Sequence, residues 1–224
     1  MRTPEQVSIF QASMAERFGD DDTRALYYTR CYEACIPKTF WNVGSGDIKY
    51  NRAAFDACVL KYTARMKVAM VRGYSLLFSG DNGAGKTIFM SFVLTQALRR
   101  GRTAYYTTLA QLDADIKRGF HSPDSDRRLA FLLDSDFVAI DELGKEHYKA
   151  DSWLTTQLEL LLKRRYDDGD PVLLATNLSY AALTKMYGSS IESMLEGKYT
   201  VVPLEAGDFR KAAKARMKKE LGIQ

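Results

Sequence analysis

The octapeptide GDNGAGKT, residues 80–87, sits between a short apolar run and a helical pattern, and this junction limits the fold more than any other feature. YSLLFS (74–79) precedes it and reads as a buried strand. KTIFMSFVLTQALRRG (86–101) follows it and reads as a helix, with basic residues in its last turn and Gly101 beyond. Glycines at 80, 83 and 85 let the backbone turn tightly and aim its N–H groups inward. A strand, a glycine turn and a helix start together make a phosphate cradle, because the helix adds free N–H donors and the positive end of its dipole. The spacing G-x-x-x-x-G-K-[ST] supplies Lys86 for the β- and γ-phosphates and the Thr87 hydroxyl for Mg²⁺. Residues Gly80, Asp81, Asn82, Gly83, Ala84, Gly85, Lys86 and Thr87 are therefore the expected cradle of a nucleoside triphosphate. A side chain at any of the three glycines is expected to block the approach of the phosphates.

The pattern then repeats as strand and helix. TAYYTT (103–108) reads as a strand, LAQLDADIKRGF as a helix, HSPDSD as a loop and DRRLAFLL as a helix. DFVAID (136–141) is a strand, ADSWLTTQLELLLKRRYDD a helix with Leu154, Leu158, Leu161 and Leu162 on one face, and PVLLATN (171–177) a strand. Upstream, residues 1–38 read as helical pieces, FWNVGSGDIKYN (40–51) as a loop, and 52–72 as one helix with Phe55, Val59, Tyr62, Met66 and Ala69 along its face, closed by Gly73. Alternating strands and helices predict an α/β fold: a mostly parallel sheet covered on both faces. Ligands of such sheets bind outside the carboxyl ends of the strands, where the phosphate loop lies.

Two further motifs fall at strand ends. FVAIDE brings Asp141, suited to hold Mg²⁺, next to Glu142, suited to activate an attacking water. Asn177 ends PVLLATN and can orient water near a γ-phosphate. The remaining signals narrow the class. A net charge of +4 permits a nucleic-acid partner without requiring one. Three cysteines, Cys31, Cys35 and Cys58, fit a reduced, cytoplasmic setting. Cys31 and Cys35 lie four apart and could share a helix face, but with neither His121 nor His147 at ligand spacing they read as core thiols. No apolar run is long enough to span a membrane.

IDELG, the long helix ending RRY, and LLATNL resemble the DnaC/DnaI/IstB branch of the AAA+ ATPases, as does the upstream CYEACIPKTFWN. The resemblance covers roughly residues 31–212. It implies an AAA+ core with a five-stranded parallel sheet over 39–212; the helical pieces of 1–38 then read as a short extension and candidate partner-binding segment, and the basic, alanine-rich composition of 213–224 reads as a tail. It implies ATP hydrolysis with Mg²⁺, a homo-oligomer in the ATP state, single-stranded DNA, and a hexameric replicative helicase as partner. Residue by residue, it makes Lys86 and Thr87 Walker A, Asp141 and Glu142 Walker B, Asn177 sensor 1, and Arg210 the C-terminal arginine that reaches the γ-phosphate. Lys117 and Phe120 match a lysine and an aromatic that face DNA, and Arg118, Arg127 and Arg128 lie close enough in sequence to add charge.

The same resemblance implies an arginine finger where this chain has SSIESMLEG (189–197), with Ser190 and Met194 at the matching positions. Three accounts stay open: a displaced alignment, a charge supplied by Arg164, Arg165 or Lys198, or a site completed by a partner, which is the expectation adopted. The functional expectation is a helicase loader. Its rivals are an IstB-type transposition regulator and a nucleotide-gated binding module with little turnover.

Overall fold

The computed structural model describes residues 2–119, 123–144, 153–205, 214, 217–219 and 221–223; over 118–119 and 123–128 it describes the backbone alone. Thr3 opens α1 (Pro4–Phe18) with a capping box, its hydroxyl accepting from Gln6 N at 3.2 Å. Asp21 caps α2 (Asp22–Glu33), its carboxylate accepting from Arg24 N at 3.1 Å. Two 3-10 turns follow: Lys38–Phe40, which ends where the expected loop begins, and Ser45–Asp47 within it.

Residues 52–72 are not one helix. α3 (Arg52–Ala54) passes through a π-helical turn, Phe55–Leu60, into α4 (Lys61–Ala64); the chain breaks at Arg65 and resumes as α5 (Met66–Arg72). The wider turn keeps both Phe55 and Val59 fully buried, and the Phe55 ring meets Phe89 and Phe92 at 5.4 and 5.0 Å. Emptying that position costs about 3–5 kcal/mol. Gly73 closes α5 at φ 66°, as a left-handed cap requires.

The core alternates as expected: β1 (Ser75–Ser79), α6 (Lys86–Arg99), β2 (Ala104–Thr108), α7 (Leu109–Gly119), α8 (Pro123–Asp134), β3 (Phe137–Leu143), α9 (Trp153–Asp168) and β4 (Val172–Thr176). α10 (Tyr180–Tyr187), α11 (Ser189–Lys198) and β5 (Tyr199–Pro203) follow. α8 begins inside the stretch read as a loop, because Pro123 is compatible with a first helical turn, where its missing N–H is not needed. All five strands are parallel, in the order β2-β3-β4-β1-β5.

Both faces of the sheet are buried. Leu76, Phe78, Ala139 and Leu173 pack with α6 and with Cys31, Ile36 and Trp41 from the N-terminal part of the chain. Leu77, Val138, Ile140 and Leu174 pack against residues of α7, α9 and α11. Successive residues of one strand thus serve opposite cores, which is why these strands read as unbroken apolar runs.

Cys31 and Cys35 do not share a helix face. α2 ends at Glu33, and Cys35 lies beyond it at φ 56°. Cys31 is fully buried, and burial pushes its thiol up to about 12, so it stays a protonated core residue. Among the described residues no helix is long and apolar enough to cross a membrane.

Arg165, on α9, is fully buried. Its guanidinium donates to the carbonyls of Leu132 (3.0 Å) and Leu133 (2.8 Å) from one nitrogen, and to those of Ser135 (2.8 Å) and Pro171 (3.2 Å) from the other. Leu132 and Leu133 belong to the last turn of α8, whose final carbonyls have no partner within the helix, and Ser135 follows directly after it. Arg165 is therefore a clamp between α8, α9 and the start of β4.

Candidate nucleotide-binding site

The site lies at the carboxyl end of β1, where the chain leaves for the far edge of the sheet while β4 and β5 flank it. Gly83 and Gly85 adopt φ 83° and 100°, conformations open to glycine at no cost, and both line a cleft of about 310 Å³. Gly80 has a different reason to be glycine. A Cβ there would lie 2.4 Å from the Leu204 carbonyl oxygen, so the constraint is the chain leaving β5 rather than the phosphates.

Lys86 opens α6 and is only 8% exposed. Its ammonium donates to Gly80 O at 2.5 Å, Asp81 O at 2.8 Å and Asn177 Oδ1 at 2.6 Å. Asn177 follows β4 directly, and β4 pairs with β1, so the pairing register delivers it beside the loop. Its Nδ2 donates to Asn82 Oδ1 at 3.0 Å. Thr87 Oγ1 donates to Asp141 Oδ2 at 2.6 Å.

Asp141 and Glu142 are consecutive, and a regular strand would send them to opposite faces. The ladder shows why both line the cleft. Ile140 pairs with Leu174 and Leu143 with Thr176, so three steps along β3 oppose two along β4. This β-bulge is accompanied by a left-handed backbone at Glu142, φ 68°, which re-aims its side chain. Glu142 N donates to Asp141 Oδ1 at 2.7 Å. Positive φ at a non-glycine costs energy and is concentrated at functional sites.

The donor set fits magnesium. Thr87 Oγ1 and Asp141 Oδ2 are paired hard oxygens on the cleft, and Mg²⁺ takes one or two protein oxygens together with phosphates and water.

Three residues that sequence reasoning did not assign contribute here. Phe40, from the first 3-10 turn, lines the cleft. Asn51, at φ 49°, donates to Ala84 O (3.0 Å) and Glu205 O (3.3 Å) and accepts from Glu205 N (2.9 Å), tying the loop to the chain leaving β5. Tyr106 OH donates to Asp141 Oδ2 at 3.0 Å; burial and then the Asp141 charge raise its pKa, so it remains a donor. The FWN segment and the strand alternation of YYTT carried signals for Phe40 and Tyr106; Asn51 had none.

The other expected residues are less concentrated. Lys117 is exposed on α7 and pairs with Asp113 at 2.6 Å. Phe120, Arg210, and the side chains of Arg118, Arg127 and Arg128 lie outside the described residues. Ser190 is exposed and Met194 belongs to the core. Of the alternative cations, Arg165 is buried in its clamp and cannot reach a neighbour. Lys198 donates to Tyr166 O at 2.5 Å, above the Tyr166 ring. Arg164 is exposed, 3.7 Å from Asp168.

Comparison with known proteins agrees with this geometry. The sequence profile of the family described as IstB-like ATP binding protein matches residues 46–196. A putative ATP-binding protein of insertion sequence IS5376 from Geobacillus stearothermophilus is 27% identical over 120 residues, 54% of this chain and 47% of that protein. Replicative helicase loader DnaC of Escherichia coli K12 is 26% identical over 120 residues, 52% of this chain and 48% of that protein. The chain thus spans about half the length of the curated relatives it matches. The crystal structure of the DnaC helicase loader superimposes with a TM-score of 0.63 at 19% identity, covering 75% of this chain and 99% of that one. That likeness establishes a P-loop AAA+ fold. With the profile covering more than half of its length, the chain belongs to the IstB-like ATP-binding protein family.

Proposed function

We propose that this chain is an ATPase that binds ATP with Mg²⁺, assembles as a homo-oligomer on single-stranded DNA, and delivers a hexameric replicative helicase there. The observation that supports the ATPase part of this reading is the convergence of Lys86, Thr87, Asp141, Glu142 and Asn177 on one cleft, and the loader part rests on the likeness to the DnaC helicase loader. Lys86 exchanges loop carbonyls for phosphate oxygens, keeping its charge in a low-dielectric setting. Thr87 and Asp141 hold the magnesium, whose charge offsets that of the phosphates. Glu142, turned into the cleft by the bulge, takes the proton of an attacking water, and Asn177 orients that water. Phe40 offers an aromatic face for the base. Lys117, on the helix that starts at the same end of the sheet, meets DNA phosphate together with Phe120. Arg210 adds charge to the γ-phosphate.

Hydrolysis by the isolated chain is slow, because Ser190 and Met194 bring no charge to a neighbouring site. Its specific rate should not rise with protein concentration, and adding the partner should raise it. A steep concentration-dependent rise that Arg164→Ala removes would place the finger on Arg164 instead.

A second reading, a transposition regulator that recruits a transposase, is favoured by the family profile and by the insertion-sequence relative. Co-purification with the host's replicative helicase and, separately, with a transposase separates the two. ATP-dependent capture of the helicase supports the loader; capture of the transposase alone overturns it.

A further inference from the structure

We infer that Tyr106 positions the Asp141 carboxylate for magnesium and sets how much Mg²⁺ the site requires; the inference rests on the nucleotide-site reading above. Asp141 receives three hydrogen bonds. Glu142 N donates to Oδ1, while Thr87 Oγ1 and Tyr106 OH both donate to Oδ2. The first two donors come with the motifs themselves. The third comes from a different strand and belongs to neither motif.

The strand register explains how it arrives. Tyr106 pairs with Ala139, so its side chain shares a face with Ala139 and with Asp141 two residues on. A diagonal neighbour at this spacing is within reach of an aromatic side chain. Tyr106 is also held from behind. Its own N–H donates at 2.8 Å to the carbonyl of Ala34, which covers the outer edge of β2 from the end of the N-terminal helices. The ring packs against the core between these two anchors.

The chemistry follows from that placement. Thr87 must turn its oxygen toward the metal while still bonded to Asp141, and this requires the carboxylate to keep one orientation. With the Tyr106 bond removed, Oδ2 retains Thr87 alone, the group that must also serve the metal. Partners that orient metal-binding groups from behind typically change metal affinity by 10–100-fold when lost.

The test is a titration of Mg²⁺ into the full chain with a fluorescent, non-hydrolysable ATP analogue, using wild type, Tyr106→Phe and Asp141→Asn. Phenylalanine keeps the ring and removes only the hydroxyl. Tyr106→Phe should raise the Mg²⁺ concentration for half-maximal binding about tenfold, at the low end of that range. Its nucleotide affinity in EDTA should stay at the wild-type value. A wild-type titration without Mg²⁺ dependence would sink the nucleotide-magnesium reading itself. A wild-type dependence that Asp141→Asn weakens and Tyr106→Phe leaves unchanged overturns the role of Tyr106 alone. An equal loss with and without Mg²⁺ overturns it too, by reducing Tyr106 to packing. Should the variant fail to fold, the ζ-carbon NMR signal of Tyr106 in the unmutated chain decides: it should shift as Mg²⁺ saturates the nucleotide-bound protein, and an unmoved signal overturns the inference.

Discussion

Lys86 and Arg165 are both buried cations on helices beside the same sheet, and they serve opposite ends of it. Lys86 stands at the carboxyl end of β1, bonded to two loop carbonyls and to one side chain, on the wall of a cleft. Arg165 stands near the amino end of β4, bonded to four main-chain carbonyls with no exposed surface. Burial depresses the Arg165 pKa, and a guanidinium stays charged nonetheless. The difference is in what the partners can do. Carbonyls at a helix end need that arginine in every state of the molecule, whereas the partners of Lys86 can yield to a ligand at the cleft. One cation stabilises the fold, and in the proposed function the other is held ready for an anion.

The largest expected effect tests the structural member. Arg165→Ala removes the partner of four carbonyls and should cost about 3–5 kcal/mol of stability, the range for breaking a buried charged network. Urea denaturation measures this. The folded fraction should keep its ATP affinity; a loss of affinity with stability intact would erase the distinction.

Lys86→Ala should do the reverse. ATP affinity should fall about 100-fold or more, near 3 kcal/mol, as expected when a buried charge loses its ligand. The urea midpoint should hardly move. Micromolar affinity in that variant would return Lys86 to the structural class.

Glu142→Gln sharpens the contrast on the anionic side. Only the proton acceptor is lost, so turnover should drop about 100-fold, the low end for a general base, while ATP still binds. Single-turnover hydrolysis measures it, and near-wild-type rates would remove Glu142 as the base.

The smallest effect belongs to an exposed cation. Lys117→Ala with Phe120→Ala should weaken single-stranded DNA binding several-fold and reduce the salt slope by about one. An unchanged salt titration would leave Lys117 as half of a surface ion pair with Asp113.

Legibility in the sequence followed the range of the interactions. The glycine loop, β1 and α6 were readable because their signals lie within a few residues of each other. The fifth strand had only the family resemblance behind it: YTVVP is a short edge strand with exposed Thr200 and Val201. The uniform helix expected over 52–72 failed because spacing of three and four residues does not reveal a π turn or the break at Arg65. Arg164 and Arg165 look equivalent in RRY, yet one is exposed and the other fully buried.

By itself the sequence determined the parallel α/β order, the glycine turn between β1 and α6, and the pairing of Asp141 with Glu142, since each is carried by residues adjacent in the chain. Tertiary structure alone decided that Gly80 yields to Leu204, that a bulge turns Glu142 into the cleft, and that Tyr106 and Asn177 reach their partners. The bonds of Tyr106 and Asn177 join residues 35 and 91 positions apart. Local propensity carries no record of such distances; they are set by the strand order and its register, which bring separate segments to one end of the sheet.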